Sequence, residues 1–404
     1  MDRVLSLSSL LRIGVLLGLV AMIPIHASCA ADGAAAVPSD PDSGTPPEAG
    51  SGADAASDAP SDDDGAVAHP CAEVDWCPVA TGVDPVYTLT AVWGSGAHDV
   101  WAVGSGGTAV HWAGDAWSPV TTGTTSTLLG VWGSGPNDVW AVATAWEIFH
   151  STGASSGGFS LVPEVAPWPT GARLYTVWGT SASDVRVGGA PARVYTPEDG
   201  EYVGTFNHWR KAIADGGVGW QPISSELSNL TILGMWGSSS DDVWIVGDNS
   251  LAVPAGTAGT VVHVRSMGED GGAPSFDLVD GQSVARLEAI WGSSARDVWA
   301  VGVGGRIRRY SEGARRFAIV DSPVTADLHA VWGTGPNDVW AVGAEGTILH
   351  FDGVAWTVSS TGLGSGQEVN LTGIWGSGPN DVWAVGGNVA LHFTGTKSRA
   401  GASK

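Results

Sequence analysis

The sequence predicts an all-β protein: a ring of seven four-stranded antiparallel units, the last one completed by the N-terminal strand. Three observations predict it. One Trp-rich pattern recurs seven times from Leu89 onward, at intervals of 39 to 58 residues. Within each copy, short apolar runs alternate with turns rich in Gly, Pro and Asn. The two ends of the chain carry complementary parts of one further copy. Repeats of this period are supersecondary units that bury their faces only against neighbours, and a closed ring of them is a β-propeller.

The clearest copies read VWGSGPNDVWAVATAWEIFH, VWGTGPNDVWAVGAEGTILHFDGVAW and IWGSGPNDVWAVGGNVALHF. The leading Trp falls at Trp93, Trp132, Trp178, Trp236, Trp291, Trp332 and Trp375. Six residues later stands an Asp: Asp99, Asp138, Asp184, Asp242, Asp297, Asp338 and Asp381. A second Trp follows each Asp by two positions, except in the third copy, where Arg186 stands instead.

One copy shows the four strands. Leu328 to Trp332 is apolar and is followed by GTGPN, a turn composition. Val339 to Val342 is a second run, Thr347 to Phe351 a third and Trp356 to Val358 a fourth. Strand–turn–strand at this spacing gives an antiparallel meander. A helical reading fails, because Gly and Pro interrupt the chain about every ten residues.

The seventh copy stops after its third strand, at NVALHFTGTKSRAGASK. Upstream of the first copy, Asp75 to Gly82 reads DWCPVATG and matches AWSPVTTG, the fourth strand of the first copy, Ala116 to Gly123. The N-terminal strand is therefore expected to pair into the last blade. Such closure removes the free sheet edges that invite aggregation.

The first 29 residues read as an export signal, with Arg3 and Arg12 ahead of an apolar stretch from Ile13 to Ile25. Ala27 and Ser28 precede Cys29 as in a lipobox, although His26 stands where an aliphatic residue is usual. Two outcomes follow: acylation of Cys29, or ordinary signal-peptide cleavage. Residues 30–70 hold no Lys, Arg or aromatic residue and are mostly Ala, Asp, Ser, Gly and Pro. That composition cannot bury enough apolar area to order itself, so a solvated acidic tether is expected. The propeller then spans 71–396, with a flexible tail at 397–404. Cys71 and Cys77 are expected to pair as a disulfide in an oxidising compartment, bracing the closing strand. With only His69 nearby, they fall short of a zinc site.

Hydrophobic residues make up 43% of the chain, ample for a core, and the formal net charge is −23. So acidic a surface argues against nucleic acid and anionic lipid as partners. A monomer is expected, held to a membrane only through a lipid at Cys29.

The segment DVWAVGAEGTILHFDGVAW resembles the blades of BNR/Asp-box-type propellers. It is especially similar to the photosystem II assembly-factor type, whose blades read roughly G-W-x-V-G-x-x-G-x-I, a turn, then G-x-x-W, and to repeat-rich bacterial surface lipoproteins. Asp352 alone keeps the Asp of the third-to-fourth-strand turn. Tectonin-type lectin propellers share a similar skeleton. The resemblance covers about residues 75–394 and implies architecture; one fold hosts many activities.

The repeated residues read as scaffold. Trp at every blade is expected to fill the space between neighbouring sheets. The seven Asp lie on different blades, too dispersed to share a calcium ion, and are expected to fix their hairpins. His111, His150, His263, His350 and His392 recur in third strands, with Tyr195 and Arg309 read at the matching positions; bonds to nearby turns are expected, without metal or cofactor. No nucleophile with a base, close carboxylate pair, metal triad or phosphate loop stands out, so no enzyme is expected.

Function is sought where repetition breaks. The longest interval holds TPEDGEYVGTFNHWRKAIADGG, Thr196 to Gly217, in which Tyr202, Phe206, His208, Trp209 and Arg210 cluster. Insertions also fall at Asp248 to Gly259 and at Pro163 to Gly171, the latter with Trp168. The expectation is a non-enzymatic exported binding or scaffold protein on the cell envelope, outer membrane or periplasm. It would recognise a protein or glycan through loops of blades two to four. The alternatives are a tectonin-like lectin with repeated sugar sites and, third, a hydrolase or lyase.

Overall fold

A computed structural model describes residues 71–165, 173–196, 201–214, 217–223, 227, 229–249, 259–265, 274–364 and 369–395. The expectations for Cys29, the tether, the tail and Trp168 lie outside these residues. Seven four-stranded antiparallel sheets follow one another around a ring. Blade 6 shows the common form, with strands Leu328–Gly335, Asp338–Gly343, Ile348–Phe351 and Trp356–Val358. The first strands lie innermost, and each packs against the first strand of the next blade, blade 7 returning to blade 1. Helical structure among the described residues is confined to two short 3₁₀ turns, Ser105–Gly107 and Ala344–Gly346.

The closure read from the sequence is present. Blade 7 consists of Gly373–Gly378, Asp381–Gly386 and Val389–Phe393, and its fourth strand is Trp76–Val79. Trp76 pairs with Phe393 and Val79 with Ala390 in antiparallel register. The same strand is tied to blade 6: Trp76 N donates to Ser360 O at 3.1 Å, and Gly362 N donates to Trp76 O at 2.8 Å. Cys77 Sγ lies 3.5 Å from the carbonyl oxygen of Cys71.

The two Trp of each repeat do different work. The second one is fully buried at Trp101, Trp140, Trp244, Trp299, Trp340 and Trp383. Each can hide roughly 150–250 Å² between sheets. Trp383 of blade 7 meets Trp112 and Trp117 of blade 1, and Trp340 of blade 6 meets Phe393 and Trp76 of blade 7. The leading Trp instead covers a glycine on the first strand of the next blade. Trp93 lies on Gly133, Trp132 on Gly179, Trp178 on Gly237, Trp236 on Gly292, Trp291 on Gly333, Trp332 on Gly376, and Trp375 on Gly94. A Cβ at these glycines would stand 2.6–2.9 Å from a ring carbon, so the Gly after each leading Trp makes room for its neighbour's indole.

The repeat Asp binds side chains of its own blade. In blade 2, Asp138 Oδ1 accepts from Trp140 Nε1 at 3.0 Å and lies 2.7 Å from His150 Nε2; Oδ2 accepts from Ser134 Oγ at 2.6 Å. The same Asp–His contact recurs at Asp99–His111, Asp242–His263, Asp338–His350 and Asp381–His392. Arg309 takes the place of His in blade 5, 2.6 Å from Asp297. These networks join the first, second and third strands, which explains why Ser/Thr, Asp and His recur together; the Trp Nε1 joins them in blades 1 and 2.

Blade 3 corrects two expectations. Thr196 to Gly217, read as an insertion loop, is mostly strand: Asp184–Thr196 and Glu201–Ala214 form one extended hairpin, and Gly217–Pro222 is the fourth strand. The residue matching the repeat His is Arg210, not Tyr195, because Arg186 pairs with Arg210 as Trp140 pairs with His150. Arg186 and Arg210 thus replace a Trp and a His together. Arg210 Nε reaches Asp184 Oδ1 at 2.5 Å, and Arg186, 3% exposed, donates to Ser240 O of blade 4 at 2.5 Å.

Candidate binding site at the axial mouth

At or just before the start of each blade's first strand stands a buried aliphatic residue: Leu89, Leu128, Leu174, Ile232, Leu287, Leu328 and Leu371. The residue after it varies most, with five residue types over the seven blades. It is Thr90, Leu129, Tyr175, Leu233, Glu288, His329 and Thr372 around the ring. These seven side chains converge on one cavity of about 550 Å³, which Thr231, Asp248 and Arg286 complete. Every blade therefore contributes one variable residue to the mouth of the axial channel.

Below this ring the inner strands crowd together and only small residues fit. A Cβ on Gly373 would lie 3.0 Å from Ala91 Cα, and one on Gly130 would lie 3.3 Å from Tyr175 O. Ala91, Gly130, Thr176, Gly234, Ala289, Ala330 and Gly373 line a narrower space of about 210 Å³. A side chain can enter from the mouth, but a folded domain cannot pass.

The mouth is polarised. Blades 5 and 6 place Glu288 between His329 and Arg286: His329 Nδ1 lies 2.7 Å from Oε2, and Arg286 Nε donates to Oε1 at 3.1 Å. Burial by itself would raise the Glu288 pKa, but the hydrogen bonds and charges of His329 and Arg286 outweigh it and hold the carboxyl below the usual range. Glu288 in turn, with Asp248 and Asp327 adding, makes Arg286 harder to deprotonate. Glu288 and His329 are 14% and 21% exposed, so the pair faces the cavity while largely shielded from bulk water. The opposite wall is neutral: Thr372, Thr90, Leu129, Tyr175 and Leu233. Thr90 Oγ1 donates to Leu128 O at 2.5 Å and Thr372 Oγ1 to Leu89 O at 3.0 Å, bonds that link neighbouring blades. Arg173, just ahead of Leu174, is exposed.

The residues singled out from sequence go elsewhere. His208 is completely buried, and Trp209, 5% exposed, packs in a core cluster with Trp140 and Trp220. Arg210 is engaged by Asp184. Tyr202 and Phe206 belong to the extended hairpin, paired with Tyr195 and Ala192. None of His208, Trp209 and Arg210 lines the mouth. The mouth could have been found by aligning the repeats and asking which position varies most: LTAVWG, LLGVWG, LYTVWG, ILGMWG, LEAIWG, LHAVWG and LTGIWG hold five residue types at the second residue.

Among the described residues, no group of three or more His, Cys, Asp or Glu side chains is placed to hold a metal ion. Asp352 fixes its own turn, its Oδ1 accepting from Val354 N at 2.9 Å and Ala355 N at 3.0 Å.

The chain is thus a seven-bladed β-propeller with an asymmetric axial mouth. No protein-family model and no curated protein matches the sequence. Solved structures do resemble it. YCF48 bound to D1 peptide superposes with a TM-score of 0.60 at 16% identity, over 81% of this chain and 97% of that one. YCF48 from Cyanidioschyzon merolae gives 0.57 at 15% identity, over 79% and 98%. The WD40 β-propeller domain of Doa1 gives 0.55 at 10% identity, over 81% and 98%. At these identities the likeness is one of fold, which agrees with the propeller type the repeat resembles.

Proposed function

We propose that this chain is a non-enzymatic, exported binding protein that takes a segment of a partner protein into its axial mouth. One observation carries the reading. The repeated polar side chains are spent on each other inside the blades, whereas the one variable position of each first strand faces a shared cavity. A scaffold whose inner strands repeat closely apart from one converging ring of variable side chains carries specificity in that ring. The fold's likeness to a propeller described as bound to a peptide supports a protein segment as the occupant. A lectin with equivalent sugar sites draws less support. The second Trp of the repeats and the fourth-strand Trp76, Trp117, Trp220 and Trp356 are all buried, leaving no repeated aromatic platform there.

Export and envelope display rest on the leader-like start of the chain and on Cys29. In an oxidising compartment Cys71 and Cys77 form a disulfide that braces the closing strand. Intact mass two hydrogens below the reduced value tests it, and an unchanged mass rejects it. The binding reading is tested by placing a photo-crosslinking amino acid at Leu129, in the mouth, and at Leu278, exposed on the outer edge of blade 4. A discrete protein adduct from Leu129 alone is expected. Adducts from Leu278 only, or from neither, overturn it.

A further inference from the structure

The mouth carries a sign. On blades 4 to 6 the carboxylates of Asp248, Glu288 and Asp327 surround a single guanidinium, Arg286, which is already bonded to Glu288. The remaining wall offers Leu129, Leu233, Tyr175 and three threonines, with no charge. Repeat comparison shows the acidic residues to be local departures. Asp248 stands where other blades have Ser105, Thr144, Ala190, Val303, Ala344 and Gly387, and no other first strand has an acid at the position of Glu288. The chain as a whole has a formal charge of −23, so its field draws cationic partners from a distance.

Resting on the axial-mouth reading, we propose that the occupant is a basic segment: a Lys or Arg side chain enters toward Asp248 and Glu288, with apolar neighbours laid against Leu129, Leu233 and Tyr175. The cavity of about 550 Å³ holds one long side chain with its flanking residues, and the constriction beneath limits how deep it goes. A carboxylate-bearing segment would instead have to displace Glu288 from Arg286 and meet Asp248. Arg suits the site better than Lys, because a planar guanidinium can bridge two carboxylates.

The test uses the full chain and four fluorescent hexapeptide pools with Leu and Ala flanks, differing only in a central Arg, Lys, Gln or Glu, read by anisotropy. The Arg pool is expected to bind at least tenfold more tightly than the Gln pool, and the Glu pool most weakly. E288Q and D248N should each reduce the Arg-over-Gln preference at least fivefold. D248N serves as the second variant should E288Q disturb the His329 contact. Binding of all four pools with equal affinity, competed by blocking the mouth, overturns the charge preference and leaves the mouth as a peptide site. Preference for the Glu pool overturns it outright. No binding by any pool, together with no adduct from Leu129, removes both readings.

Discussion

The indole of Trp375 packs on Gly94: a Cβ at Gly94 would stand 2.7 Å from two of its ring carbons and 2.5 Å from the carbonyl oxygen of Asp99. This contact joins blade 7 to blade 1 and repeats six more times around the ring. A single methyl at Gly94 therefore strikes both an indole and a main chain. Gly94→Ala is expected to cost about 1–3 kcal/mol in urea denaturation. Gly96→Ala, two residues on with nothing within 4 Å of its Cβ, should change stability by no more than about 0.5 kcal/mol. Equal effects at the two positions would contradict the packing account.

The closing strand makes a second prediction. Trp76 is fully buried against Trp340 and Phe393, although it is far from both in sequence. Trp76→Ala is expected to cost about 3–5 kcal/mol, and deletion of residues 71–82 should lower the melting temperature sharply. An unchanged melt after deletion would mean that the ring does not depend on this seam.

His208 predicts an acid-side weakness. Burial, with Arg186 and Arg210 adding, pushes its pKa well below the ordinary value of 6.5. Below about pH 6.5 the unfolded chain binds a proton that the folded chain refuses, so stability falls as pH falls, by up to about 1.4 kcal/mol per pH unit for this one site. The equivalent positions of other blades hold Ile148, Ile307 and Ile348. His208→Ile should flatten the stability profile between pH 6.5 and pH 5 in denaturant titrations. A variant as acid-sensitive as the parent would reject the assignment.

The Asp–His networks predict a second, lower window. For Asp99, Asp138, Asp242 and Asp338 burial raises the pKa, but hydrogen bonds from His, Ser or Thr and, in three of the four, Trp outweigh it and leave the carboxyls lowered. Their contribution is present above the unfolded value of about 3.9 and is lost as pH falls through the folded values. Asp338→Asn loses the charge behind its bonds from His350 and Thr334. It should cost about 1–3 kcal/mol at pH 7, and less at pH 3, measured by chemical denaturation. The same loss at both pH values would contradict the charge-based account.

The architecture was legible because its constraints repeat. Trp, Gly, Asp and the second Trp recur where neighbouring blades touch, and the pairing of DWCPVATG with the last blade could be read from its match to AWSPVTTG. The site was less legible for the opposite reason. A ring of residues one per blade has no local motif; Glu288 and His329 are 41 residues apart and meet only because blades 5 and 6 adjoin. The cluster around His208 and Trp209 drew attention as a break in repetition. Yet the extra residues lengthen a hairpin, and the strand that carries them turns both side chains into the core. In that hairpin the Asp184–Arg210 pair also displaced the expected match at Tyr195.

The axial mouth is tested most directly by filling it. Leu129 and Leu233 stand on its neutral wall, and replacing both with Trp would occupy much of the cavity without touching the Asp–His networks or the Trp–Gly contacts. The decisive measurement is the dissociation constant of the partner protein captured at Leu129, for the parent and for L129W/L233W, with melting temperature followed in parallel. The account predicts at least a hundredfold weaker binding at a nearly unchanged melting temperature. Undiminished binding by the filled protein would contradict it.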